Sequence, residues 1–331
     1  MSIDVSVGRL KELHDAVLAE LGKRIVGQVE PVGQVLTCFF AGGHCLIMGM
    51  PGVAKTLLVN CLAQVMELAF KRIQFTPDLM PSDITGTEIL EEDKTTGRRE
   101  LKFVRGPVFA NVVMADEINR TPPKTQAALL ESMQEKQVTI GGKTYPLPRP
   151  FFVLATQIPI EQEGTYPLPE AQQDRFMFNV MMGYLKEDEE VVAVRQSSGG
   201  RPAKLRTILK AEDLVEYQKV IRAVPISEAL RGYIVDLVSA SRPGEAGAPD
   251  FVKEYVAWGA GLRASQYIAL GAKARAALSG RKEVRLEDVQ AVIQPVLRHR
   301  IGLNFRAEVD KVSVDNVVER LVKGAGSPAG A

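Results

Sequence analysis

The chain has 331 residues, 46% of them hydrophobic, and balances 41 basic against 40 acidic side chains for a formal net charge of +1. That composition excludes a mainly disordered chain, which lacks the apolar surface to offset its ordering entropy, and a collagen-like or disulfide-dense scaffold. It also argues against nucleic-acid binding through bulk charge, leaving only a local patch, and at roughly 150 residues per domain two domains are expected.

Apolar residues at helical spacing (Val7, Leu10, Leu13, Val17, Leu18, Leu21) predict a helix over 5–21. Residues 1–9 have no apolar core of the kind a secretory signal needs. A second helix is expected over 31–40, followed by CLIMG (45–49) as a buried strand. The apolar stretch 35–50 is broken by Gly42, Gly43 and His44 and is shorter than the ~20 residues of a membrane span, so no membrane insertion is expected. Cys38, Cys45 and Cys61 sit in apolar surroundings without metal-type spacing and read as reduced core thiols of a cytoplasmic protein. Further on come a helix over 55–68, a strand at KRIQF (71–75) and a buried strand at NVVMAD (111–116). A helix over 123–135 opens at Pro122-Pro123, and strands FFVLAT (151–156) and RFMFNVMM (175–182) complete the set. Apolar strands alternating with helices specify the α/β class, with a five-stranded parallel sheet covered on both faces. Two inserts, 87–104 and 137–147, read as hairpins, the second turning at Gly141-Gly142. Their pattern leaves open whether they are plain surface ribbons or functional.

After Gly183 the texture becomes helical, apart from a Pro/Gly-rich loop at 241–250. The expected division is a first domain over 1–185, an all-helical domain over 186–324 and a flexible tail over 325–331. Charge divides near the same place: residues 1–200 carry a net −5 and residues 201–331 a net +6. Opposite signs suit two domains and head-to-tail contact between copies.

GMPGVAKT (49–56) follows a strand and opens a helix, the context of a Walker A loop. The backbone amides of Gly49, Met50, Pro51 (through its neighbours), Gly52, Val53 and Ala54 would wrap phosphate, aided by the helix N-terminus that continues through Leu57. Lys55 would neutralise phosphate charge and Thr56 would offer its hydroxyl to Mg²⁺. The strict pattern has glycine at Ala54; alanine is expected to fit by adopting a negative φ just inside the helix. NVVMADEINR (111–120) delivers Asp116 and Glu117 to the C-terminal end of a strand, where a parallel sheet collects ligands. Asp116 suits the Mg²⁺ shell and Glu117 the polarisation of an attacking water.

These residues resemble the AAA+ ATPases, and the MoxR family in particular. IVGQ (25–28), RIQFTPDLMPSDITG (72–86), DEINRTPPKTQAALLESMQE (116–135), EQEGTYPLPEAQQDRF (161–176) and VLRHRI (296–301) carry the resemblance over nearly the whole chain. It implies an αβα nucleotide domain with a helical lid, a ring homo-oligomer (usually a hexamer) and chaperone-like use of Mg-ATP on a protein client. Such clients often include a von Willebrand factor A-type partner. It makes 87–104 the helix-2 insert and 137–147 the pre-sensor hairpin, which favours a functional role for both. Val26 and Gly27 fall in the adenine-side segment. Arg175 matches the arginine finger that reaches a neighbour's γ-phosphate, against a locally paired arginine. Arg263 matches the sensor 2 arginine, against a surface one, with action in cis or in trans left open. Arg120 and Lys124 fit either a subunit interface or a solvated helix face. Where the family's sensor 1 asparagine stands, this chain has Ile158, so Thr156 or Gln157 must substitute or hydrolysis slows.

Two other functions remain open from the residues: a nucleic-acid motor, disfavoured by the single lysine, Lys143, of the 137–147 hairpin and the mixed charge of the 87–104 hairpin, and an ATP-gated scaffold with little turnover. His14, His44 and His299 are isolated and read as structural or exposed, and Trp258 as packing.

Overall fold

The computed structural model describes residues 3–92, 99–157, 164–200 and 202–326. The first half alternates as expected. α1 (Ile3–Leu21) and α2 (Val29–Ala41) precede β1 (Cys45–Gly49), α3 (Lys55–Val65), β2 (Phe70–Gln74) and the short α4 (Pro81–Thr85). A hairpin of β3 (Gly86–Glu92) and β4 (Arg99–Arg105) leads to β5 (Val112–Asp116) and α5 (Pro123–Glu135). A second hairpin, β6 (Gln137–Ile140) and β7 (Lys143–Pro146), precedes β8 (Phe152–Gln157), α6 (Glu170–Gln173) and β9 (Phe178–Met182).

β1, β2, β5, β8 and β9 form one parallel sheet in the order β2-β5-β8-β1-β9. Strand periodicity explains why both faces are dry: successive side chains point to opposite sides. Val112 and Met114 enter the core shared with α2, α3 and the C-terminal helices, while Val113 and Ala115 enter the core under α5. Phe152 and Leu154 against Val153 and Ala155 repeat the alternation.

Several features differ from expectation. α2 begins two residues before Pro31, because the first turn of a helix leaves its N–H groups unbonded and accepts proline. The last strand starts at Phe178 rather than 175, since the carbonyls of Asp174 and Phe176 are taken by the Arg300 guanidinium instead of a strand neighbour. The C-terminal half is not wholly helical. After α7 (Glu187–Ser198), α8 (Ala211–Ala223), α9 (Glu228–Ala240) and α10 (Asp250–Tyr255), strand β10 (Val256–Trp258) pairs antiparallel with β11 (Gly302–Leu303). α11 (Leu262–Leu278) and α12 (Leu286–Leu297) lie between them, and α13 (Phe305–Val309) and α14 (Val314–Gly324) follow. The Trp258 ring covers Gly302, where any side chain would collide with it, although 43% of the tryptophan stays exposed. α11 packs on α2, α8, α9 and α12, so the C-terminal helices share one continuous core with α2 and a face of the sheet.

Cys38, Cys45 and Cys61 are buried free thiols. No described helix is long and apolar enough to cross a membrane. Part of the 325–331 tail lies outside the described residues.

Candidate nucleotide site

β1 lies inside the sheet between β8 and β9, so the loop leaving it emerges at the carboxyl edge of the strands. Gly52 has φ 87, a left-handed turn that glycine enters without steric cost. Ala54 departs from expectation. Its φ is 64, not negative, because it is the residue before the first helical position of α3 and must turn the chain into the helix. A Cβ in that conformation costs roughly 1–2 kcal/mol. No side chain caps α3, which leaves its leading amides directed to the loop. Lys55 Nζ folds back to donate to the Gly49 carbonyl at 2.6 Å. Burial lowers the pKa of its ammonium, and the charges of Asp116 and Glu117 oppose that shift.

Of the predicted phosphate-site residues, all but Met50 and Val53 line one cavity of about 380 Å³, together with Asp116 and Glu117. Pro51, Gly52, Ala54 and Leu57 also border an adjoining cavity of about 720 Å³. Its other walls include Ile25, Val26, Val53, Tyr184 and Leu185, a mostly apolar space of the size a purine nucleoside needs. Met50 is 45% exposed at the rim. Gly27 does not line the cavity; its left-handed backbone passes so close to the Glu189 carboxylate that a side chain would collide with it. Gln28, also left-handed, donates its Nε2 to the Gly183 carbonyl at 2.6 Å. The sequence motifs did not flag α7, which contributes Glu190, Ala193, Gln196 and Ser197 to this second cavity. Its charged sequence hides that one face closes a pocket.

Both acids are held. Thr156 donates its hydroxyl to Asp116 Oδ1 at 2.7 Å and accepts the Glu117 backbone N–H at 2.8 Å. Asp116 Oδ2 accepts from Arg72 Nε at 3.0 Å and from a second Arg72 nitrogen. Glu117, at φ 57, accepts from Gln74 Nε2 at 3.2 Å and pairs with Arg120 at the same distance. Parallel pairing sets this up: Gln74 lies opposite Asp116 in the β2–β5 register. Arg72 and Gln74 were missed in the sequence because strand β2 reads there only as a strand. Ile158 lies outside the described residues, as do 159–163. The described polar group next to both acids is Thr156, one of the two substitutes considered.

Arg175 and Arg263 are elsewhere. Both line a separate cavity of about 600 Å³ between α5, α11 and the end of α2, and neither lines the phosphate cavity. Arg175 donates to the Leu130 carbonyl at 2.9 Å, and Arg263 pairs with Asp174. The buried Arg300 guanidinium anchors this segment. It donates to the Asp174 carboxylate at 2.7 Å and to the carbonyls of Asp174, Phe176 and Val296. Arg300 stood inside the VLRHRI stretch, but nothing in that string showed which backbone it would hold.

The Thr56 hydroxyl and Asp116 carboxylate are hard oxygen donors on one cavity, a set that fits Mg²⁺ bound through one or two side chains plus phosphate oxygens.

Residues 44–178 match the family model described as the ATPase family associated with various cellular activities (AAA), and residues 250–321 match the AAA lid domain. The chain is 44% identical to chaperone MoxR1 of Mycobacterium tuberculosis over 97% of this chain and 84% of that protein. It is 30% identical to protein MoxR of Methylorubrum extorquens over 89% of each. A crystal structure of a protein provisionally described as an ATPase, from Cytophaga hutchinsonii, superposes with a TM-score of 0.88 at 45% identity, covering 96% of each chain.

Proposed function

The chain belongs to the MoxR family of AAA+ ATPases, and from that premise we propose that it hydrolyses Mg-ATP in sites completed between neighbouring copies of a ring, remodelling or activating a protein client. The observation that carries this reading is the separation of two half-sites. Lys55, Thr56, Asp116 and Glu117 share one cavity, while Arg175 and Arg263 share another that does not meet it. A single protomer therefore holds the phosphate cradle without the arginines, and both arginines act in trans.

The amides of the 49–54 turn and the N-terminus of α3 receive the triphosphate, and Lys55 exchanges the Gly49 carbonyl for phosphate oxygen. Thr56 and Asp116 would hold Mg²⁺, which would supply charge neutralisation at the phosphates. The nucleoside occupies the cavity walled by Val26 and α7. Glu117 accepts the proton of the attacking water once it leaves Gln74 and Arg120, and Thr156 keeps both acids aimed. The Arg175 of the adjacent copy meets the charge that builds on the γ-phosphate, a contribution of about 10³–10⁵ in rate.

The division into 1–185 and 186–324 follows the same reading, with α7 as the connection that nucleotide moves. A protein client is favoured over nucleic acid by the β3–β4 hairpin. Its Arg99 and Lys102 are paired with Glu92 and Glu91, while Leu90 and Leu101 are 60% and 65% exposed. Such a surface offers apolar contact rather than a track for phosphates. The ring is taken as a hexamer, a von Willebrand factor A-type protein as the client class, and the cytoplasm as the location.

The experiment is a comparison of nucleotide binding with turnover in two variants. Lys55→Ala should lose ATP binding. Arg175→Ala should bind ATP within about threefold of the parent yet lose at least ~10³ in kcat. Loss of binding in Arg175→Ala would overturn the separation of roles.

A further inference from the structure

The cavity that holds Arg175 and Arg263 carries more positive charge than a bound nucleotide calls for. Lys136, Arg222 and Lys273 line it as well, so five cations converge on about 600 Å³. Asp174 neutralises part of Arg263. Among the described residues no carboxylate lies within ion-pair distance of Lys136, Arg175, Arg222 or Lys273. Lys273 Nζ donates to the Arg222 carbonyl at 2.9 Å, which brings two of these residues together rather than neutralising them. Burial and the Arg222 charge both lower the ammonium pKa of Lys136, and burial, then Arg231 and Arg222, lower that of Lys273, so Arg222 opposes the charge of both lysines. A group of like charges held in a cavity at that cost marks a place for an anion.

A magnesium-bound triphosphate keeps about two negative charges, and Lys55 with two arginines already exceeds them. Lys136, Arg222 and Lys273 are then left without a counter-charge. The chain carries a matching segment. α7 opens with Glu187, Asp188, Glu189 and Glu190. Glu189 is engaged with the Lys186 amide and Glu190 lines the nucleoside cavity. Glu187 and Asp188 are exposed and make no ion pair among the described residues. They open the helix whose Glu190 and Ala193 line the nucleoside cavity, the side to which a neighbour must bring Arg175.

We infer that the Glu187–Asp188 turn of one copy docks into the Lys136–Arg222–Lys273 end of the arginine cavity of the next. The inference rests on the ring reading above and gives it a specific second contact. The arginines at one end of the cavity meet phosphate, and the lysines and Arg222 at the other end meet carboxylate. The seam thereby senses α7, which also closes the nucleoside cavity, so occupancy of the pocket and grip between copies are linked.

The test uses the full chain with a nonhydrolysable ATP analogue and sedimentation velocity across protein concentration and salt. Arg222→Glu with Lys273→Glu should raise the concentration needed for assembly by about tenfold or more, and the parent's assembly should weaken with salt. Adding Glu187→Lys and Asp188→Lys to that variant should restore most of the loss. Binding of a fluorescent nucleotide to each variant as a monomer should stay unchanged, which establishes that its own site is folded. Unchanged assembly in the doubly reversed variant, or no recovery in the four-site variant, would overturn the pairing. So would binding of inorganic tripolyphosphate to the monomer that is lost in Arg222→Glu/Lys273→Glu without any effect on assembly, since that would make the cavity a small-anion site. Failure of the unaltered chain to assemble with nucleotide would instead overturn the ring reading itself.

Discussion

At the scale of single residues, the nucleotide loop is held at a backbone cost. Gln28, Ala54 and Glu117 all have positive φ near the site, and none is glycine. Such strain is tolerated where the surrounding structure over-determines it, commonly at a site of function. Ala54→Gly should therefore stabilise the nucleotide-free protein by roughly 1 kcal/mol. Urea unfolding checks this: a raised midpoint with an unchanged slope is expected, and a lowered midpoint would show that Ala54 is not strained. The loop, Lys55, Thr56, Asp116 and Glu117 were legible from the motif and its place after a strand. The sign of φ at Ala54 was not, because it depends on where the helix begins to within one residue. Arg72 and Gln74 were hidden for a different reason. Their roles follow from parallel register with β5, a pairing between residues more than forty positions apart.

Among the elements, the connection between strand β9 and the C-terminal helices depends on one buried guanidinium. Arg300 is 5% exposed and holds Asp174, Phe176 and Val296 at once. Removing one partner of a buried pair costs about 3–5 kcal/mol, because the other partner stays buried and uncompensated. Arg300→Met should lower stability by that order in chemical unfolding, and it should slow turnover by loosening the Arg175 segment. A change below about 0.5 kcal/mol would mean that water replaces the guanidinium. The hairpins show what periodicity can and cannot convey. Both were legible from alternating flanks around a turn. Their contact was not: Phe103 stacks on Tyr145 with ring centroids 4.3 Å apart, joining the two inserts into one projecting unit. The short β10–β11 pair was not legible either, since three- and two-residue strands leave too little pattern to separate them from helix ends.

For the whole molecule, acid sensitivity follows from its buried imidazoles. His44 is pushed down to about 4, mainly by burial and also by Lys136, and its Nδ1 accepts the Val153 amide. Burial likewise pushes His299 well below its ordinary range. A group whose folded pKa is depressed binds its proton more readily in the unfolded chain. The contribution of His44 is therefore complete above pH 6.5 and is lost as pH falls from 6.5 towards 4, on the order of 3 kcal/mol. His44→Gln should flatten that part of the pH–stability curve, and an unchanged curve would place the acid sensitivity elsewhere. The helix–sheet–helix layering and the largely helical second half were legible because both rest on local periodicity. The placement of the phosphate cradle and the arginines in separate cavities was not, since it is fixed by how α2, α5 and α11 meet. That placement is best tested by mixing Lys55→Ala and Arg175→Ala subunits, each nearly inactive alone, and measuring ATP turnover. Recovery of a substantial fraction of parent activity is expected, because some seams then join an intact cradle to an intact arginine. No recovery across mixing ratios, with mixed assemblies verified by mass, would contradict a site shared between copies.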